Sequence, residues 1–407
     1  MKKVFRKIRV FFINVYSFLS GLLLGRSKKN VLIGAWGGNK FSDNSRYLYQ
    51  YLFFNKKKLG LKTVVWATRN EQLNANLNNA GYNSVLIGTK TSKLWHLKCG
   101  IHIICNMSFD FSTFQCDIDN RYSCGAKKIQ LWHGVGVKAI GNASNASKAR
   151  QKRKHHGIVY SHFLRTVFSC GCWHDASFLC TSNLNKKNIA ETMDCNPKRL
   201  FVSSYPRNCR CLELTADEKS VVEKIKSFPF VCLYLPTFRS NYTNYIHPLD
   251  DDSFVDFLAS HDVLFIEKPH SAETMTSVRR LAKNVIHLES NFDINVLFPY
   301  ISCLVSDYSS AAFDSIHLNI PTLFYTPDLE TFKNGDVGLL IDFEKTFEHL
   351  VLFDIDNLVS SLQRVIKKEY FSKKTNAIFD LINHSYFNNC QKNYKEIWKD
   401  ILNSMKN

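Results

Sequence analysis

The sequence lacks several patterns that would assign the protein to a class directly. Its 13 cysteines include no Cys-x-x-Cys pair, although a structural zinc site normally needs a closed set of ligands at recognisable spacing. The glycines of Gly134-Val-Gly136 have no third glycine and no downstream acid to complete a dinucleotide fingerprint. We therefore predict reduced, mostly buried thiols in a cytosolic protein, no bound metal and no cofactor.

Acidic residues are scarce relative to basic ones: 35 against 53, which gives a formal charge of +18. Such an excess favours an anionic partner, whether nucleic acid, an anionic membrane or a phosphorylated substrate. The densest basic run, Lys148–His156, has no aromatic residues among its cations, which disfavours a channel for single-stranded nucleic acid. We predict no nucleic-acid partner; the run is either a solvated loop or a surface for an anionic polymer or membrane.

Residues 1–29 combine basic residues with the apolar run Val10–Leu24. This run is short for a span, since a helix needs about 20 apolar residues to cross a bilayer. No small-x-small cleavage site follows it and basic residues flank both ends, unlike a signal peptide. We predict a membrane-associating helix that lies on an anionic, cytoplasmic membrane face; the alternative is an ordinary helix packed on the adjacent domain.

From residue 30 onward, short apolar segments alternate with helical ones, the pattern of βαβ units and a doubly wound sheet. The pattern restarts after the capping box Thr215-Ala-Asp-Glu218. We predict an α/β protein with Rossmann-like domains over residues 30–213 and 214–407, the second including the terminal helices, and a ligand-binding cleft between them. The predicted strands are Val31–Trp36, Thr63–Thr68, Ser84–Gly88, Ile101–Asn106, Lys128–Trp132, Ser177–Thr181, Leu200–Ser204, Phe230–Leu235, Val263–Glu267, Val285–Leu288, Leu304–Ser306 and Thr322–Tyr325.

Polar residues follow three predicted strands of the C-terminal half. The carboxyl ends of parallel strands meet at one edge of a sheet, where open α/β proteins bind their ligands. Guanidinium, imidazole and hydroxyl groups at such an edge suit a phosphate, and their convergence predicts a pocket for a diphosphate. These residues are Thr237 and Arg239 after Phe230–Leu235, Lys268 and His270 after Val263–Glu267, and Ser309 and Ser310 after Leu304–Ser306.

The segment Leu131-Trp-His-Gly134 ends a strand of the N-terminal half in the same way. A histidine there can accept a proton from an attacking hydroxyl group, although His133 taken alone is more often a structural residue. The glycine leaves room for a substrate. Lys138, further along, either meets a phosphate or is solvated.

Six short motifs occur in order along the chain: Ser42-Asp-Asn-Ser45, Leu131-Trp-His-Gly134, Tyr205-Pro-Arg-Asn208, Leu235-Pro-Thr-Phe-Arg239, Lys268-Pro-His270 and Ser306-Asp-Tyr-Ser-Ser310. Together they resemble the CDP-glycerol glycerophosphotransferase family, the polymerases and primases of teichoic acids and related capsules. The resemblance covers residues 30–345. It implies a GT-B-like fold and transfer of a polyol phosphate, glycerol phosphate foremost, from a CDP-activated donor to a hydroxyl of a growing cell-surface polymer, with release of CMP.

The resemblance also implies roles, partners and a location. His133 would be the general base and Asp307 would shape the donor loop. The acceptor would be a lipid-linked or polymeric glycan at the cytoplasmic face of a bacterial plasma membrane, to which the protein would bind peripherally. The donor's phosphates would be held by His270, Arg239, Ser309, Ser310, Lys268 and Thr237, and the remaining candidates, on the acceptor side or elsewhere in the site, are Gly134, Asn44, Arg207 and Lys138.

Two other functions stay open. One is a GT-B glycosyltransferase that uses a nucleotide sugar for surface polysaccharide synthesis. The other is a non-catalytic, membrane-associated protein that binds an anionic polymer through its basic run.

Overall fold

The computed structural model describes residues 2–106, 116–139, 144, 173, 176–193, 195–237, 245–268, 283–335 and 338–406. Its elements, in chain order, are α1 (Lys2–Leu23), β1 (Ser27–Ile33), α2 (Asp43–Asn55), β2 (Thr63–Thr68), α3 (Glu71–Asn79), β3 (Ser84–Leu86), α4 (Lys90–Lys98), β4 (Cys99–Ile104), β5 (Lys127–Gln130), β6 (Ser177–Cys180), α5 (Asn183–Thr192) and β7 (Leu200–Val202). They continue with α6 (Ala216–Ile225), β8 (Phe230–Leu235), α7 (Asp252–Ser260), β9 (Val263–Glu267), β10 (Val285–His287), β11 (Cys303–Ser306), α8 (Ala311–His317), β12 (Thr322–Tyr325), α9 (Leu329–Asn334), α10 (Phe343–Phe347), β13 (Val351–Leu352), α11 (Ile355–Ile366), α12 (Lys373–Phe387) and α13 (Tyr394–Ser404).

The strands form two parallel sheets, as the alternation of strand and helix predicts. The first has the order β3-β2-β1-β4-β5-β6-β7, and the second β10-β9-β8-β11-β12-β13. Every residue of the central strands β4 and β8 is buried, which explains why neither segment alternates apolar with exposed polar residues. Both sheets have the reversal of strand order at which α/β proteins expose the carboxyl ends of adjacent strands.

The chain divides into two compact units that are built from discontinuous segments. The first unit comprises residues 1–133, 151–213 and 391–407, and the second comprises 134–150 and 214–390. The chain passes to the second sheet through helix α6, which begins with the predicted capping box: Thr215 Oγ1 accepts from the Glu218 amide and Glu218 Oε2 from the Thr215 amide.

The C-terminal helix α13 packs in the first unit, whereas the alternation of strands and helices predicts residues 391–407 in the second domain. Its ring of Tyr394 stacks on Tyr51 with centroids 5.1 Å apart. The carbonyl of Ser404 accepts a hydrogen bond of 3.1 Å from Ser177 Oγ in β6. A helix after a Rossmann-like domain can return to the preceding one, since nothing in the local sequence records its packing partner.

Helix α1 packs its more polar face inward. Val10, Asn14 and Ser17 are buried against the first unit, and Ser17 Oγ donates to the Cys124 carbonyl at 3.3 Å. The opposite face consists of large apolar side chains that remain exposed. Among the described residues, no helix is both long enough and apolar enough to cross a membrane. The exposed side chains of this outer face include Phe5, Phe12, Leu19 and Leu23.

The eleven cysteines that the structure describes are all free thiols, and most are buried. Burial raises the pKa of thiols such as Cys99 and Cys116, so they stay protonated. They pack among apolar residues of the first sheet, for example around Leu32 and Val65. For these residues the prediction of reduced thiols that act as small apolar side chains is in accord with the structure.

Candidate active site

His133 follows a sharp backbone turn at the end of β5. The strand stops at Gln130, whose side chain accepts the Trp132 amide at 2.9 Å. Trp132 has a φ of 60°, a left-handed conformation that costs a residue other than glycine about 1–2 kcal/mol. Surrounding hydrogen bonds must therefore hold this turn, and they orient the half-buried imidazole of His133.

The imidazole of His133 has a defined tautomer. Its Nδ1 lies 2.9 Å from the carbonyl oxygen of Cys105, at the end of the neighbouring strand β4. A carbonyl oxygen can only accept, so the neutral ring carries its proton on Nδ1 and its lone pair on Nε2. Trp36 and Trp132 flank the ring, with centroids 5.2 and 4.2 Å away. This arrangement fixes the orientation of the imidazole ring.

Asp117 holds the strand end that carries this carbonyl. Its carboxylate accepts the backbone N–H groups of Gly37, Cys105 and Asn106 at 2.7, 2.9 and 2.7 Å. Burial raises the pKa of Asp117 to about 6, although these three hydrogen bonds act in the opposite direction. A Cβ atom at Gly34 would lie 2.2 Å from the Asp117 carbonyl oxygen, so the close approach of the two loops requires glycine there.

Asn44 and Arg207, two of the predicted site residues, meet the backbone of the His133 turn. Asn44 Nδ2 donates to the Trp132 carbonyl at 2.8 Å, and Arg207 donates from one guanidinium nitrogen to the His133 carbonyl at 2.9 Å. Asn44 also accepts the Arg207 amide at 3.1 Å. The motifs around residues 42–45 and 205–208 thus brace the turn together.

Asp43 completes this network and was not singled out from the sequence. Its Oδ1 lies 2.8 Å from the guanidinium of Arg207, and both side chains are nearly fully buried. Asp43 itself has a φ of 62°, so the start of α2 is also strained. Its position next to Asn44 in the first motif was the available signal, because a buried arginine requires a nearby carboxylate.

Replacing Arg207 by methionine is expected to destabilise the protein by about 3–5 kcal/mol, because Asp43 would remain buried without its counter-charge. The free energy of unfolding in urea measures this loss. Lys226 provides the matched control: it pairs with Glu223 at 2.7 Å, and both side chains are more than half exposed. Lys226→Met should leave the free energy of unfolding close to that of the wild type. Equal, small losses in the two variants would contradict a structural role for the buried pair.

In the second unit, Asp307 joins the ends of two adjacent strands. Both of its carboxylate oxygens lie within hydrogen-bonding distance of the Thr237 amide, at 3.0 and 2.9 Å. Ser306 Oγ donates to the Leu235 carbonyl at 2.7 Å. These contacts fix the segment after β8 against the segment after β11, so the side chain of Asp307 faces protein backbone.

The serine loop, which is the segment Ser309–Ser310 after β11, is next to a stacked aromatic pair. Tyr308 stacks on Phe332 with centroids 3.9 Å apart, and its hydroxyl donates to Asp328 at 2.9 Å. Ser309 Oγ accepts the Ala311 amide at 3.3 Å, at the point where α8 begins. The side chain of Ser310 makes no capping hydrogen bond to this helix. Both serines are partly exposed at the carboxyl edge of the sheet.

Lys138 lies in the second unit, unlike His133. Its Nζ is 3.3 Å from Thr237 Oγ1, and the chain passes from one unit to the other between His133 and Gly134. Lys268 directly follows β9, where its amide donates to the Tyr234 carbonyl at 3.1 Å. Three of the predictions fall outside the described residues: Arg239, His270 and the basic run Lys148–His156.

A histidine–glutamate–histidine cluster precedes the Lys268-Pro-His270 motif. Glu267 Oε1 lies 2.7 Å from His247 Nε2, and Oε2 lies 2.8 Å from His287 Nδ1. Burial opposes the ionisation of Glu267, but the hydrogen bond and charge of His247, together with His287, hold its pKa below the usual value. Within the described ranges, no group of three or more histidine, cysteine, aspartate or glutamate side chains is arranged to hold a metal ion.

The lowered pKa of Glu267 predicts a pH-dependent contribution to stability. The contribution is present above the ordinary value of 4.5 and is lost as the pH falls through the lower value of the folded state. The difference in unfolding free energy between the wild type and Glu267→Gln should therefore shrink as the pH is lowered below 4.5. Chemical denaturation between neutral and acidic pH measures it.

Glu330 is the control for this experiment, because its side chain is 71% exposed and only 3.6 Å from Lys333. Glu330→Gln should differ little from the wild type at any pH. A difference for Glu267→Gln that does not change with pH would contradict the assignment.

Two parallel α/β sheets with polar side chains at their carboxyl edges define a GT-B-like fold. Over residues 17–397, the chain matches the CDP-Glycerol:Poly(glycerophosphate) glycerophosphotransferase family, and it belongs to that family. The resemblance seen in the sequence motifs is thereby confirmed, as is the prediction of an enzyme that transfers glycerol phosphate from CDP-glycerol.

Named relatives agree with this assignment. The chain is 23% identical to a teichoic acid poly(glycerol phosphate) polymerase of Bacillus spizizenii over 376 residues, 89% of this chain and 90% of the relative. It is 20% identical over 353 residues to the protein of the same name from Bacillus subtilis, but spans only 45% of that longer chain. The wall teichoic acid polymerase TagF superposes with a TM-score of 0.67 at 18% identity, covering 100% of this chain and 97% of TagF. This likeness confirms the predicted fold.

Proposed function

We propose that the protein transfers glycerol phosphate from CDP-glycerol to a hydroxyl group of a growing teichoic acid-like or capsular polymer, with Nε2 of His133 as the general base. The hydrogen bond of 2.9 Å from His133 Nδ1 to the Cys105 carbonyl carries this proposal. It assigns the lone pair to Nε2, and a neutral imidazole is suited to accept a proton near neutral pH.

In the proposed reaction, the acceptor oxygen forms a bond to the β-phosphorus of the donor and gives its proton to His133. The bond between the β-phosphorus and the bridging oxygen breaks, and CMP leaves with that oxygen and its electron pair. The acceptor is a lipid-linked or polymeric glycan. The reaction develops negative charge on the departing phosphate, so it needs cations and hydrogen-bond donors around the diphosphate.

We assign the diphosphate to the carboxyl edge of the second sheet. The hydroxyl groups of Thr237, Ser309 and Ser310 lie at this edge, in the segments that Asp307 and Tyr308 hold in place. Lys268 supplies an ammonium group after β9. The motifs of the family add the guanidinium of Arg239 and the imidazole of His270 to the same set, the latter as a second catalytic residue.

Removal of the imidazole tests the assignment of the base. His133→Ala is expected to slow CMP release from CDP-glycerol by roughly a hundredfold to ten-thousandfold, with an unchanged melting temperature, because the acceptor hydroxyl loses its proton acceptor. His261→Ala, which removes an exposed histidine, is the control and should keep the wild-type rate. Near-normal release by His133→Ala would overturn this role. A wild type that turns over CDP-ribitol or a nucleotide sugar in preference would overturn the donor assignment.

We further propose that α1 holds the enzyme on the cytoplasmic face of a bacterial plasma membrane as a peripheral protein. The exposed face of this helix supports the proposal: Phe12 is 63%, Leu19 52% and Leu23 88% exposed, on the side opposite the buried Asn14 and Ser17. An apolar face of this kind is stabilised by insertion at the boundary of headgroups and acyl chains. The net charge of +18 adds attraction to anionic lipids.

Replacing Phe12, Leu19 and Leu23 together by serine should weaken binding to vesicles that contain anionic lipid by about a hundredfold or more, because three large apolar side chains no longer insert. Vesicle co-sedimentation measures the affinity. Phe54→Ser is the control, since this side chain is 52% exposed at the end of α2, away from the helix face. Undiminished binding of the triple variant would show that α1 is not the main attachment.

A further inference from the structure

We infer that Lys138 is a binding residue for the donor's diphosphate. The sequence alone left this lysine undecided between a phosphate contact and a solvated position, and grouped it with the acceptor side. The inference rests on the proposed function and names a further residue of the same donor site.

The backbone around Lys138 is fixed to the second unit. The Val137 carbonyl accepts the Leu340 amide at 2.8 Å, and the Ala139 amide donates to the Gly338 carbonyl at 3.1 Å. Lys138 itself forms an antiparallel bridge with Leu339. In such extended pairing, successive side chains point to opposite faces. Val137 and Ala139 are buried on one face, which directs the half-buried Lys138 to the other.

The ammonium of Lys138 reaches the carboxyl edge at the centre of the second sheet. Its Nζ lies 3.3 Å from Thr237 Oγ1, and the Thr237 amide is bound by Asp307. Strands β8 and β11 are neighbours up to the pair Leu235 and Ser306. The lysine therefore lies where the segments leaving these two strands come together, which is where the donor's diphosphate is assigned.

A second contact connects the lysine with the serine loop. Its Nζ is 6.0 Å from the ring centroid of Phe332, and Phe332 stacks on Tyr308. Tyr308 stands between Asp307 and Ser309 in the chain. The ammonium thus contacts Thr237 in the segment after β8 and, through Phe332, is connected with the segment after β11. Both segments supply proposed phosphate contacts.

The chemistry of the group suits a diphosphate. An ammonium is a compact charge with three N–H donors, so it can hold the threonine hydroxyl and a phosphate oxygen at once. Hydrogen bonds between ionised partners are about twice as strong as neutral ones. The other role consistent with the contacts is a structural one, in which Lys138 only holds Thr237 in place. The two roles predict different results.

The test is the affinity for CDP-glycerol without acceptor, measured by calorimetric titration of the wild type, Lys138→Met, Lys138→Arg and Lys374→Met. Loss of a charged hydrogen bond should weaken binding by about tenfold to a hundredfold in Lys138→Met. Lys138→Arg should restore most of it. The control variant Lys374→Met removes the same charge from an exposed position on α12, so its affinity for CDP-glycerol should equal that of the wild type. Cytidine has no phosphate, so the wild type and Lys138→Met should bind it with equal affinity.

Each remaining outcome is decisive. Unchanged affinity in Lys138→Met, or an equal loss in Lys374→Met, would overturn the inference and leave the proposed function intact. A loss accompanied by a lower melting temperature and not restored by arginine would assign Lys138 a structural role instead. Failure of the wild type itself to bind CDP-glycerol would overturn the proposed function, and this inference with it.

Discussion

A buried aspartate that accepts backbone N–H groups organises the carboxyl edge of each sheet. Asp117 binds three amides from the loops after β1 and β4, and Asp307 binds the Thr237 amide after β8. Backbone groups at strand ends have left the sheet ladder and need other partners, since a buried amide without one costs free energy. A carboxylate with several lone pairs satisfies them together. The described residues at these strand ends are consequently held in place by hydrogen bonds to a carboxylate.

Much of the fold could be predicted from the sequence because parallel strands buried on both faces are continuous apolar runs. The predicted bounds of Thr63–Thr68, Phe230–Leu235, Val263–Glu267 and Thr322–Tyr325 are those of the structure. Most predicted strands of the first sheet extend past the carboxyl end of the observed strand, β1 begins four residues earlier than predicted, and β13 was not predicted. The prediction of Ile101–Asn106 extends too far because the amides of Cys105 and Asn106 bind Asp117 instead of the sheet. Apolar residues continue past several of these strand ends, as at Trp36, Ile87 and Trp132, so the apolar pattern does not mark where the strand stops.

The candidate site was predicted in part, and what was missed depends on tertiary packing. His133, Thr237 and the serines are recognisable because they follow apolar runs. The assignment of Lys138 to the second unit depends on its pairing with Leu339, 201 positions away in sequence, which no local pattern reveals. Asp117 likewise carries no local signal, because its partners are backbone amides rather than side chains. The same holds for α13, whose return to the first unit is recorded only in its contacts with Ser177 and Tyr51.

The choice of a carbonyl rather than a carboxylate as the partner of His133 has a consequence for the reaction. A carboxylate would fix the same tautomer but would add a negative charge beside the ring. That charge would stabilise the imidazolium and so make the neutral imidazole more basic. That charge would also oppose the approach of an anionic donor.

The Cys105 carbonyl fixes the tautomer without a net charge. The nearest carboxylate in this chain of contacts, Asp117, acts one step away through the backbone. Breaking a phosphoanhydride bond releases CMP as a good leaving group, and correct orientation of the proposed base contributes to the rate. The hydrogen bonds of Asp117 and the strained turn at Trp132 therefore serve to orient the ring of His133.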